Sequence, residues 1–131
     1  MKMKSFVKGA VVTGAVVLIL GSCVFAGTTM QRYRTNVGWF NGSGYSEYQT
    51  KIYGGEDGFM YSNAVGGNYV VDVRMHAKVG SGAWVRGVND NRYYCVPSTR
   101  KQKEGTQVRL KFSNKITTPV TVEVVGRWKS N

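Results

Sequence analysis

The sequence predicts an all-β protein, a single antiparallel β-sandwich or small barrel that follows an N-terminal signal peptide. Three observations predict it. Apolar and polar residues alternate with a period of two in several runs, as they do in a strand with one face on a core and the other in water. Turn-forming groups recur between those runs, at Asn41-Gly42, Ser43-Gly44, Gly54-Gly55, Asp57-Gly58, Gly66-Gly67-Asn68, Gly80-Ser81-Gly82 and Asn89-Asp90-Asn91, and short strands punctuated in this way build a sandwich or barrel. Helical signals are nearly absent. Arg100-Lys101-Gln102-Lys103-Glu104 has helix-forming residues, but it is too short to stand alone and lies between Pro97 and Gly105, so it is assigned as a charged connecting loop.

The first element is not a strand. Lys2, Lys4 and Lys8 precede Gly9 to Leu20, a run without a charged group, and positive charge followed by an apolar stretch is the order of a secretory signal. A retained membrane helix needs about 20 apolar residues, whereas this run contains glycines and is followed by small residues. Two cleavage points compete. Val24-Phe25-Ala26 suits ordinary signal peptidase, which would release a secreted protein beginning at Gly27. Leu20-Gly21-Ser22-Cys23 resembles the lipobox of bacterial lipoproteins, which would anchor the chain through Cys23. Release after Ala26 is favoured, because the lipid-anchored form would place Val24 and Phe25, rather than small polar residues, beside the anchor. Residues 1–26 are therefore read as signal peptide and 27–131 as the secreted domain, enough for one core.

Strands are expected over 31–40, 44–53, 58–63, 69–79, 83–88, 92–96, 106–113 and 119–128. The first three lie in a tyrosine-rich stretch, with six tyrosines between Tyr33 and Tyr69 beside Trp39, Phe40 and Phe59. Such residues serve an amphipathic sheet face or an adaptable contact surface, and the first use is favoured because strands prefer aromatics. The fourth carries Val71, Val73, Met75, Ala77 and Val79 on one face and Asp72, Arg74, His76 and Lys78 on the other. In 106–113, Val108, Leu110 and Phe112 turn inward and Arg109 and Lys111 outward. In 119–128, Val120, Val122, Val124, Gly126 and Trp128 share the inner face, and Gly126 marks a bulge or a close backbone approach.

Catalytic chemistry finds little support. His76 is the only histidine, and Cys95 the only cysteine after the signal. A thiol hydrolase would require the two to meet, with Asp72 or Asp90 orienting the imidazole, but no local motif joins them. A buried, inert Cys95 is the simpler expectation. One histidine and one cysteine cannot complete a zinc tetrad, Gly87-Val88-Asn89-Asp90-Asn91 holds a single carboxylate for calcium, and no phosphate-binding glycine motif leads into a helix. No cofactor and no enzymatic activity are expected.

Charge is the informative property. Fifteen of the eighteen Lys and Arg and all seven acidic residues lie from Gly27 onward, which leaves the secreted domain at +8. Arg74, Lys78, Arg109, Lys111, Arg127 and Lys129 project from polar strand faces, with Trp84 and Arg86 on another. If those strands are neighbours, these residues form one ligand-binding field. The plain alternative is a solvated face whose cations discourage edge association. As a binding face it would take anionic cell-wall polymers or a membrane surface. Nucleic acid would satisfy the same charges, but export makes it an unexpected partner.

Tyr33-Arg34-Thr35, Lys78-Val79-Gly80-Ser81-Gly82-Ala83, Gln107-Val108-Arg109-Leu110 with Ser113-Asn114, and Val125-Gly126-Arg127-Trp128 together resemble a family of small secreted β-rich proteins of Gram-positive bacteria, a domain of unknown function. The resemblance implies a signal peptide and an exported β-domain and brings no catalytic residues. Gly82-Ala83-Trp84-Val85 is similar to a stretch of the lactococcin-like β-sandwich bacteriocins, a likeness that implies an antibacterial role. The expected function is thus a secreted, non-enzymatic protein binding anionic components of the bacterial envelope, with a bacteriocin-like activity as the alternative.

Overall fold

A computed structural model describes residues 25–131. Cys23 and the rest of the expected signal peptide lie outside the described residues, except Phe25–Ala26. The described chain is all-β. Its strands are β1 (Phe25–Ala26), β2 (Gln31–Val37), β3 (Ser43–Tyr45), β4 (Gln49–Thr50), β5 (Gly58–Val65), β6 (Val71–His76), β7 (Val85–Val88), β8 (Arg92–Val96), β9 (Gln107–Asn114) and β10 (Val122–Lys129).

They form two sheets packed as a β-sandwich. The first has the order β1-β4-β9-β6-β7, with β3 also pairing with β9, and the second has the order β2-β10-β5-β8. All pairings are antiparallel except the short one between β1 and β4. Alternation decides which residues meet between the sheets. Val108, Leu110 and Phe112 of β9 and Val71, Val73 and Met75 of β6 are buried against Tyr33 and Val37 of β2, Met60 and Val65 of β5, and Val122, Val124 and Trp128 of β10. Tyr33 and Phe112, from opposite sheets, bring their ring centroids to 5.1 Å.

Two apolar residues escape this pattern. Val79 and Val120 were expected inside and are 53% and 42% exposed, because β6 ends at His76 and β10 begins at Val122. The alternation continues in the letters beyond the point where the backbone is extended. The expected 44–53 strand also divides into β3 and β4. Lys111 pairs with Tyr45 and Val108 with Gln49, so one extra residue is accommodated between them. The Ser46 hydroxyl accepts the Leu110 N–H at 2.9 Å, and the Ser46 N–H donates to the Leu110 carbonyl at 3.0 Å, which keeps the central strand satisfied across the irregularity.

Buried polar side chains close the sandwich. Gln49 of the first sheet donates to the Trp128 carbonyl at 2.9 Å and accepts from the Ser130 N–H at 2.8 Å. Asn114 donates to the Val37 and Gly38 carbonyls at 2.9 and 2.8 Å. Gln102, in the charged loop, is fully buried and donates to the Met75 and Gly80 carbonyls at 3.0 and 2.9 Å. Lys51 is buried with its ammonium on the Glu56 and Ser130 carbonyls at 2.5 and 2.7 Å. Burial lowers its pKa, against the opposing pull of Asp57 and Glu56. Gly27 is buried as well, donating to the Thr50 carbonyl at 2.9 Å and accepting from the Asn131 N–H at 2.8 Å.

Candidate functional site

The outer face of the first sheet gathers three of the expected cations, Arg74, Arg109 and Lys111. Across β6 and β9, Arg109 lies opposite His76 and Lys111 opposite Arg74, while Ser113 faces Asp72. On the other side of β9, Lys111 lies opposite Tyr45. Like charges placed directly opposite each other repel, and aromatic rings hold the guanidinium groups in this arrangement. The guanidinium carbon of Arg109 is 3.9 Å from the Tyr45 ring centre and 4.7 Å from that of Tyr48. Arg74 is 4.5 Å and Arg86 5.5 Å from the Trp84 ring. Such contacts attract through the ring quadrupole without neutralising the charge.

Carboxylates do little to cancel this field. Asp72 receives Arg86 at 2.7 Å and the Gly87 N–H at 3.1 Å. The ion pairs among the described residues are Arg86 with Asp72 and Arg34 with Glu123, which leaves Arg74, Arg109 and Lys111 without a carboxylate. His76 registers the result. Partial burial, followed by Arg109, Lys111 and Arg74, pushes its pKa below the ordinary value. Its Nδ1 lies 3.0 Å from the Ser81 hydroxyl and its ring 6.0 Å from that of Tyr45.

The single field expected from the sequence is corrected in its extent. Arg74, Arg109 and Lys111 share the outer face of the first sheet, Trp84 and Arg86 border it at the β7 edge, and Lys78 lies in the turn after β6, lining a hollow with Tyr48. Arg127 and Lys129 do not join them, because β10 pairs with β2 and β5 and carries these residues to the outer face of the second sheet. Period-two alternation says which residues leave their own sheet, but not which sheet a strand enters. Tyr45 and Tyr48 were missed as supports for Arg109. Their signal was the aromatic richness of the stretch, which does not reveal a partner some sixty residues away in the chain.

The thiol and the imidazole stand on opposite outer faces. Cys95, expected to be buried, is instead exposed, because it lies on the outward face of β8 where it pairs with Phe59 in the second sheet, whereas His76 belongs to the first. The Cys95 thiol approaches Asp57 Oδ2 at 3.6 Å. Partial burial and then Asp57 raise its pKa, which disfavours the thiolate. Asp72 is held by Arg86, and Asp90 accepts the Val65 N–H at 2.6 Å, so neither orients His76. No group of three or more His, Cys, Asp or Glu among the described residues is placed to hold a metal ion. No family model, curated protein or solved structure matches the chain.

Proposed function

We propose that this chain is an exported, non-enzymatic β-sandwich that binds anionic polymers or headgroups of the bacterial envelope through Arg74, Arg109 and Lys111, with Lys78, Trp84 and Arg86 at the border of the face. The observation that carries this reading is the facing of Lys111 with Arg74 and of Arg109 with His76, in a patch whose Asp72 is already engaged by Arg86. An uncompensated patch of this kind raises the local concentration of a polyanion and weakens with salt. Cleavage after Ala26 would remove β1 and its pairing with β4, and would still let an α-ammonium on Gly27 donate to the Thr50 carbonyl. The lipid anchor at Cys23 is the alternative route to the same location.

Binding to purified cell walls tests the proposal. The parent should bind native walls in a salt-sensitive way and lose binding when anionic polymers are stripped from them. Arg74→Ala, Arg109→Ala and Lys111→Ala should each weaken binding about fivefold, on the scale of about 1 kcal/mol for each basic residue near an anionic surface. Equal binding to stripped walls would defeat the reading. The bacteriocin-like alternative draws on Trp39, Phe40 and Ile116, which are 63%, 58% and 73% exposed on hydrogen-bonded neighbouring loops. Growth inhibition of indicator cells at low concentration would favour it, because adhesion alone predicts none.

A further inference from the structure

The outer face of the second sheet holds a separate arrangement. One row crosses all four strands, with Arg32 on β2 opposite Arg127 on β10, Arg127 opposite Tyr61 on β5, and Tyr61 opposite Tyr93 on β8. At the usual strand spacing this row is about 14 Å long. Arg32 and Arg127 are both exposed. Neither forms an ion pair with a described residue, and the nearby Glu123 is taken by Arg34 at 3.0 Å. Two guanidinium groups facing each other across an antiparallel pair repel, so the free protein bears a cost there that an oxyanion between them would remove.

The backbone makes room for such a group. The β10–β5 register shifts between Val125 and Gly126 so that Asn63 is left unpaired, and a bulge of this kind re-aims its neighbours. Arg32, Arg34, Asn63, Val125, Gly126 and Arg127 line a hollow of about 440 Å³ beside it. The aromatic half of the row continues from its edge. Arg127 lies 5.2 Å from the Tyr61 ring centre, Tyr61 lies 4.6 Å from Tyr93, and Phe59 stacks on Tyr93 at 5.3 Å with 20° between the planes. Tyr93 is 61% and Phe59 37% exposed.

We infer that this face is a binding site for a polysaccharide whose sugars carry carboxylates. A planar carboxylate matches the guanidinium fork of Arg32 or Arg127. The C–H face of an adjoining sugar ring matches the exposed aromatic patch, and its hydroxyl groups meet the amide of Asn63 and the phenols. Phe59, Tyr61 and Tyr93 pack on one another, forming a floor rather than separate platforms between which bases could stack, so a glycan fits better than single-stranded nucleic acid. The site lies on the opposite sheet from Arg74, Arg109 and Lys111, and it stands or falls independently of that face.

Affinity electrophoresis of the full secreted domain through gels containing polygalacturonate, neutral dextran or oligothymidylate tests the inference. Polygalacturonate should retard the parent and dextran should not. Arg32→Gln with Arg127→Gln, and separately Tyr93→Ser, should each weaken polygalacturonate binding by about tenfold or more, while Lys101→Gln with Lys103→Gln, which removes the same charge from an exposed loop outside both faces, should leave it unchanged. Without glycan, the Tm of Arg32→Gln should equal or exceed that of the parent, since a like-charge pair is removed. Unchanged retardation in the Arg32/Arg127 variant, equal retardation by dextran, tighter binding to oligothymidylate, or a lowered Tm for Arg32→Gln would overturn it.

Discussion

The Arg109 guanidinium carbon lies 3.9 Å from the centre of the Tyr45 ring, while its Nε is buried and has no hydrogen-bond partner. The ring therefore takes part of the role that a carboxylate would have, holding the cation in place and leaving its charge available. A cation over an aromatic face contributes about 0.5–2 kcal/mol, depending on desolvation. Tyr45→Leu should lower stability by that amount in urea titrations. Arg109→Ala should then cost less in the Tyr45→Leu background than in the parent, a coupling that a double-mutant cycle reads directly. Strict additivity would show that the contact carries no energy.

His76 should report the field around it. Partial burial, then Arg109, Lys111 and Arg74, lower its pKa from the ordinary 6.5. The folded protein thus binds this proton less readily than the unfolded chain, so the stability linked to His76 is present above about pH 6.5 and is lost as pH falls toward the folded value. A polyanion bound to this face as proposed would offset the same cations, so that binding should take up a proton and tighten as pH falls through that window. An NMR titration of the imidazole should give a midpoint below 6.5 that moves upward in Lys111→Ala and at high salt. An ordinary midpoint, unchanged by the variant, would contradict this account of the face.

Gly126 is fixed by space. A Cβ there would overlap the Tyr61 carbonyl oxygen and the Tyr33 phenol, at the point where the β10–β5 register shifts. Burial pushes the Tyr33 phenol well above its ordinary pKa, so it packs against this position as a neutral group. Gly126→Ala should lower stability by about 1–3 kcal/mol through overpacking, measured as a lower urea midpoint with an unchanged m-value. A neutral substitution would mean that the two strands can separate locally without loss.

Cys95 should be dispensable. Its thiol is exposed, lies beside Asp57 and titrates above its ordinary value, the reverse of the environment that activates a nucleophile. Cys95→Ala should change stability by no more than about 0.5 kcal/mol and leave the proposed polyanion binding unaffected. In the parent, alkylation by iodoacetamide should be slow at pH 7 and accelerate with rising pH. Fast labelling at neutral pH would show an activating contact.

The alternation in Val71 to Met75, Val108 to Phe112 and Val122 to Trp128 was sufficient to identify the strands and their inner faces, because a half-buried strand must place its apolar residues two apart and the turn residues interrupt it wherever the chain reverses. The same letters marked Gly126 as a constrained position. They could not show that β9 lies between β4 and β6 while β10 lies between β2 and β5, since these pairings join residues far apart in the chain and one apolar face is equally suited to either sheet. That choice is tertiary. It placed Arg109 and Lys111 beside Arg74, sent Arg127 to the opposite surface to face Arg32, and separated His76 from Cys95. Packing between the sheets therefore decided which charges act together, where the sequence by itself determined only that they would be on the outside.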